Sequence, residues 1–161
     1  MTITEAEISA AHRELARALV GHDVYPVEFG AAGEGHPFVR VEDGVIHRFL
    51  MDRGQQHDLG TYTDLDEFMY VVAEEATSSI ARRWELGQRH KWPEGRDSRI
   101  GWVAKQLQLL STLNPVWAQR FRFTVETRFP GLSLADVDEH PVNESLISRL
   151  TPWRVGRGRH R

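Results

Sequence analysis

The chain has 161 residues, no cysteine and a formal net charge of −3. That length suits one domain with a real hydrophobic core, and without cysteine no disulfide framework can form, so a reducing cytoplasm is the expected setting. The first residues lack a basic n-region and an apolar h-region, so they do not read as a signal peptide, and no apolar run approaches the roughly 20 residues of a membrane span.

The small net charge conceals a split. Residues 1–80 carry a net −10, residues 81–131 a net +6 and residues 132–161 a net +1. An acidic half suits a basic protein partner and a basic half suits nucleic acid. A third reading is that the halves neutralise each other on folding.

In chain order, Thr4 and Glu7 form a capping box, after which Ile8, Ala11, Leu15, Ala18 and Leu19 keep helical spacing as far as Gly21. Val24–Phe29 reads as a strand, placed at an edge by Pro26. After the glycine-rich loop Gly30–Gly35, the runs Phe38–Val41 and Val45–Asp52 flank Asp43-Gly44, a hairpin signal. A further strand over Gln56–Tyr62 follows the turn at Asp52-Arg53-Gly54. Such a sheet needs a helix against one face.

The cover is a long helix over Thr63–Leu86. Leu65, Phe68, Met69, Val72, Ala76, Ile80 and Trp84 share one face, Thr63 or Asp64 caps the start, and Asp66 or Glu67 completes a capping box. The loop Gly87–Arg96 is basic and holds Trp92. Asp97 or Ser98 opens a helix lined by Ile100, Val103, Ala104, Leu107, Leu110 and Leu113. Trp102 and Leu109 widen its apolar face to two sides. Asn114-Pro115 starts a fourth helix through Trp117, Phe121 and Val125 that ends at Pro130-Gly131, making a helical hairpin. Residues 132–150 lose periodicity but leave room for a short helical turn, and the arginine-rich residues 151–161 read as a frayed tail beyond a single domain of residues 1–150. The fold class is therefore α+β: a small antiparallel N-terminal sheet, packed on the central helix and the C-terminal hairpin.

No catalytic, cofactor or metal constellation emerges. Eight histidines include no pair at metal-ligand spacing, although His47 and His57 could approach each other across strands. Gly30–Gly35 fits neither nucleotide-binding glycine pattern, and Ser78-Ser79 has no elbow glycines. The carboxylates Asp64, Asp66, Glu67, Glu74 and Glu75 lie off the apolar stripe and read as solvated surface.

Five blocks stand in a fixed order: Thr63 through Tyr70, Glu74 through Ala81, Asp97-Ser98-Arg99, Ala104 through Leu110, and Leu113 through Arg120. Over about residues 38–128 this order resembles immunity protein 63, a family of bacterial polymorphic-toxin immunity proteins. The family tends to place bulkier aromatics where this chain has Val71 and Ala73. The resemblance implies a non-enzyme without cofactor that binds a cognate toxin domain stoichiometrically in the cytoplasm, with no membrane, nucleic-acid or small-molecule ligand. The alternative from the residues is a small nucleic-acid-binding regulator using Arg89, Lys91, Trp92, Arg96, Arg99 and the terminal arginines. A hydrolase built from scattered histidines and carboxylates is a third.

Helical spacing also suggests a partner face. Glu67, Tyr70, Glu74 and Thr77 share the side of the central helix away from its apolar stripe, with Asp66 and Glu75 beside them. Carboxylates around one tyrosine would supply steering charge and an amphipathic anchor. On that reading the face is exposed, and reversing Glu74 and Glu75 costs little stability; on the alternative reading Tyr70 packs against the sheet or a helix and the carboxylates only solvate the face.

Overall fold

Two tight turns set the sheet. Asp43 and Gly44 have φ of 51° and 79°, and Arg53 and Gly54 have φ of 51° and 74°. Positive φ at both central residues gives a turn whose twist matches that of the strands it joins. These turns connect β2 (Pro37–Glu42), β3 (Val45–Asp52) and β4 (Gln55–Tyr62) into an antiparallel meander. A bulge interrupts the β3–β4 ladder. Arg48 pairs with Gly60 and Phe49 with Asp58, and the Asp58 carboxylate accepts from the Gly60 amide at 2.8 Å.

The computed structural model describes residues 2–142, and the expected frayed tail lies outside the described residues. Element order is α1 (Glu5–Ala18), β1 (Glu28–Phe29), β2, β3, β4, α2 (Leu65–Gln88), a 3₁₀ turn (Arg89–Lys91), α3 (Ser98–Leu113), α4 (Pro115–Arg128) and α5 (Leu134–Glu139). The architecture is α+β.

One part of the sheet differs from the expected all-antiparallel arrangement. β1 pairs with β2 in parallel, Glu28 opposite Phe38 and Phe29 opposite Val39, so the order β1-β2-β3-β4 is mixed. A parallel neighbour ordinarily needs a crossover of a dozen residues or more. Here β1 has only two residues, a rise of roughly 7 Å, and the short loop to Pro37 spans it.

The helix boundaries follow their caps. Thr4 and Glu7 form the capping box of α1, the Asp64 carboxylate accepts from the Glu67 amide at 2.9 Å, and Asn114 caps α4 with Pro115 in its first turn. Helix α2 is covered on two sides. Phe68 meets Tyr62 of β4 with ring centroids 5.5 Å apart, while a second face of Tyr70, Ala73, Thr77, Ala81 and Glu85 is also buried. The neighbour of that second face is α3, which is buried through Ile100–Gln106 and again at Leu109 and Leu110. One continuous core joins Ile8 and Leu15 of α1, Val39 and Ile46 of the sheet, Phe68 and Ile80 of α2, Val103 and Leu110 of α3, and Phe121 and Val125 of α4. Among the described residues no helix is long and apolar enough to cross a membrane.

The N-terminal segment closes on the β2–β3 turn. A Cβ at Gly44 would lie 2.8 Å from Thr2 Cγ2 and 3.2 Å from the Ile3 amide nitrogen, at a φ of +79°. Gly44→Ala is therefore expected to lose about 1–3 kcal/mol, from backbone strain and displacement of the N-terminus together. Urea unfolding of the two proteins measures it; an unchanged midpoint would contradict the packing described.

Candidate functional site

The acidic face of α2 is occupied from within. Tyr70 is 5% exposed and Thr77 0% exposed, so the two residues expected at the centre of an open face are buried. Trp117 of α4 donates from Nε1 to both Asp66 carboxylate oxygens at 3.2 Å. Arg120 Nη1 bonds Glu67 Oε1 at 2.8 Å, and Arg128 bonds Glu74. The Arg120 guanidinium lies 4.1 Å from the Tyr70 ring centroid, and the Trp117 ring meets Tyr70 edge-on at 6.4 Å. Burial, reinforced by a hydrogen bond to Glu74, pushes the Tyr70 hydroxyl above its ordinary pKa and keeps it neutral. Thr77 Oγ1 donates to the Ala73 carbonyl at 2.7 Å, and Gln106 Nε2 of α3 donates to the Glu74 carbonyl at 2.9 Å.

Long side chains of α4 thus bridge to α2, and the charge split of the sequence closes on itself there. The sequence signal that marks this is the run Trp117, Arg120 and Arg128. Steps of three and eight residues put all three on nearly one face of α4. Glu75 points toward the sheet instead. Its carboxylate takes Arg48 Nη2 of β3 at 2.5 Å; the arginine side chain is 8% exposed and that of Glu75 55%.

Six of the described carboxylates without an ion pair lie around the sheet. Glu28, Glu34, Glu42, Asp43, Asp52 and Asp58 are all exposed, and none forms an ion pair among the described residues. Among the cations beside them, Arg53 sits exposed in the turn after Asp52, and Arg40 is turned onto the Phe38 and Phe49 rings at 5.4 and 5.2 Å and bonds Gln56. This acidic rim was not singled out from the sequence, because strand carboxylates at turns look like ordinary solvation.

The basic loop stays at the surface, with Trp92 half-buried. Arg89 holds Glu85 through Nε and Nη2 at 2.9 and 2.6 Å, and Arg99 pairs with Asp97. The Trp92 ring packs against His140 at 4.6 Å, and Arg96 lies 4.7 Å over Trp92 and 3.3 Å from His140 Nδ1. Of the residues read as a nucleic-acid platform, Arg89 and Arg99 are thus paired with carboxylates and Arg96 packs on Trp92, while the terminal arginines lie outside the described residues. Burial, and then the Arg96 charge, lowers the His140 pKa below its usual value. Trp84 Nε1 and His140 Nε2 are buried without a hydrogen-bond partner among the described residues, a cost of about 1–3 kcal/mol per group. His47 and His57 do not meet, for in the ladder His47 stands opposite Thr61 and His57 opposite Leu50. No group of three or more metal-binding side chains converges among the described residues.

Residues 42–127, just over half of the chain, match a family model whose description is Immunity protein 63. No curated protein and no solved structure matches the chain.

Two outcomes follow from this geometry. Reversing Glu74 and Glu75 together to lysine strips Arg128 and the buried Arg48 of their partners. A loss of about 1–3 kcal/mol or more is expected in place of a neutral surface change, and chemical denaturation measures it. His140 has a depressed folded pKa, so its contribution is complete above the unfolded histidine pKa and is lost as pH falls toward the folded one. Thermal melting should decline from pH 7 to pH 5, and His140→Asn should decline less over the same interval; parallel declines would show that His140 does not take part.

Proposed function

The chain belongs to the immunity protein 63 family, and we propose that it is the cytoplasmic antidote to a bacterial toxin domain, which it neutralises by stoichiometric binding. The family membership carries this reading. It implies a non-enzymatic role, and the acidic rim of the sheet gives that role a physical means. Toxins that attack nucleic acid are usually basic, and unpaired surface carboxylates raise the association rate with a basic partner.

The steering charge is assigned to Glu28, Glu42, Asp43 and Asp52, whereas Glu67 and Glu75 are already paired with Arg120 and Arg48. Asp66, Tyr70 and Glu74 then act indirectly, by holding α4 in register with α2. Carboxylates already paired within the chain carry little field outward, whereas unpaired ones at the turns carry theirs into solvent.

Co-expression tests the reading. A gene for a large secreted protein with a variable C-terminal domain should lie next to this one, and this protein should rescue cells from that domain. Replacing Glu28, Glu42 and Asp52 with lysine should leave the fold intact and slow association by about tenfold or more at low salt, with the difference shrinking as salt rises. Turnover of a substrate by the purified protein, with no such neighbour and no rescue, would overturn the proposal.

A further inference from the structure

A cavity of about 180 Å³ opens between the chain at residues 23–27, the sheet and α2. Its walls are apolar, formed by Val24, Val27, Phe38, Phe68, Val72 and Ala76. The exposed members of its lining are Asp23, Tyr25, Pro26, His36, Glu75 and Ser79, which mark its mouth. Inside is Arg48, 6% exposed, which is the feature an apolar cavity does not explain.

A guanidinium carries five N–H donors. Arg48 gives Nη2 to Glu75, and its Nε and Nη1 have no partner among the described residues. They are also absent from the sealed polar atoms, which are those of Trp84, Gln106, Gln108 and His140. Free donors therefore remain on a buried cation beside open apolar space. Charge at the site is already balanced. Glu75 neutralises Arg48, and Asp23 stands 3.7 Å from Arg83. A charged occupant would lose its hydration with no counter-charge to meet it. A neutral group with an apolar body and one acceptor oxygen would fill the walls and complete Arg48.

We propose that this cavity is the socket for one apolar side chain on a loop of the toxin domain, whose own backbone carbonyl accepts from Arg48. The proposal rests on the immunity reading above and names the anchor point of that interaction. The size is suitable, since an apolar cavity of about 150 Å³ takes up a benzene ring. An aromatic or branched aliphatic residue seated in a desolvated pocket is the kind of contact that dominates binding energy, while the acidic rim supplies the encounter.

The test uses the full chain and the toxin domain that it protects against. Ala76→Phe fills the cavity from α2, and Ser79→Trp covers its mouth from an exposed position. Arg48→Met removes the donors and leaves Glu75 free in water. Gln119→Trp on the exposed side of α4 is the control. Circular dichroism and melting establish folding, and surface plasmon resonance reads affinity. Each blocked variant should bind about thirty-fold or more weakly, mainly through faster dissociation, Arg48→Met about tenfold more weakly, and the control like the parent. If Ala76→Phe does not fold, Ser79→Trp decides. Blocked variants that fold and bind as tightly as the parent would overturn the socket and leave the immunity reading standing. A parent chain that neither binds nor protects would overturn that reading, and the socket with it.

Discussion

The pairing of Arg48 with Glu75 ties the sheet to α2 through a guanidinium taken almost wholly out of water. Desolvating such a cation costs several kcal/mol, and one carboxylate that is itself half in water returns only part of that. An apolar residue in its place would pack at least as well. What the arginine adds is direction. Its bond to Glu75 favours one docking of β3 against α2, where apolar contact alone would accept several. That docking also shapes the adjoining cavity, whose walls come from the loop before β1, from β2 and from α2. With Glu75 holding one nitrogen, the guanidinium is fixed in place before any partner arrives, and pre-organisation of this kind removes part of the entropy cost of binding.

The uneven charge of the chain is answered in the same manner at α2 and α4. Glu67 and Glu74 meet Arg120 and Arg128, and Asp66 meets the Trp117 indole. Each pair is partly exposed, and such pairs contribute within about 1 kcal/mol apiece. Their larger effect is on the field outside the protein. Once the α2 acids and the α4 arginines have cancelled, six carboxylates without an ion pair remain on the turns and edges of the sheet. The folded molecule presents a negative side that its modest total charge conceals.

Much of the fold was legible because it depends on local chemistry. Thr4, Asp64, Asn114 and the two turn glycines act within a few residues of themselves, so caps and hairpins could be placed from the sequence. The exposure of Tyr70 and Thr77 could not be. A hydrophobic stripe identifies one buried side of a helix, and α2 has two. Its second side runs through Tyr70, Ala73, Thr77, Ala81 and Glu85 at spacings of three and four. These are small or polar residues that resemble solvent-facing ones. Their burial depends on partners far along the chain: Gln106 for Thr77, Arg89 for Glu85, and Gly101, where a Cβ would come within 3.0 Å of Glu85 Cγ. The parallel pairing of β1 is not legible in the sequence for a related reason, since two residues are too short to leave a periodic trace.

The same distinction separates the two faces that could meet a partner. A face on α2 would have to surrender Arg120, Arg128 and Trp117 before it could engage anything else, and exposing Tyr70 would open the joint between α2 and α4. The sheet rim and the Arg48 cavity require no such sacrifice. The rim carboxylates have no ion pair within the described chain, Arg48 has free donors, and the apolar walls are already apart. Binding there adds contacts without subtracting any, so little of the interaction energy is lost to reorganisation. Internal pairs, by contrast, identify what the fold has already used. The groups left over, and not those already paired, are the better guide to where a partner would bind.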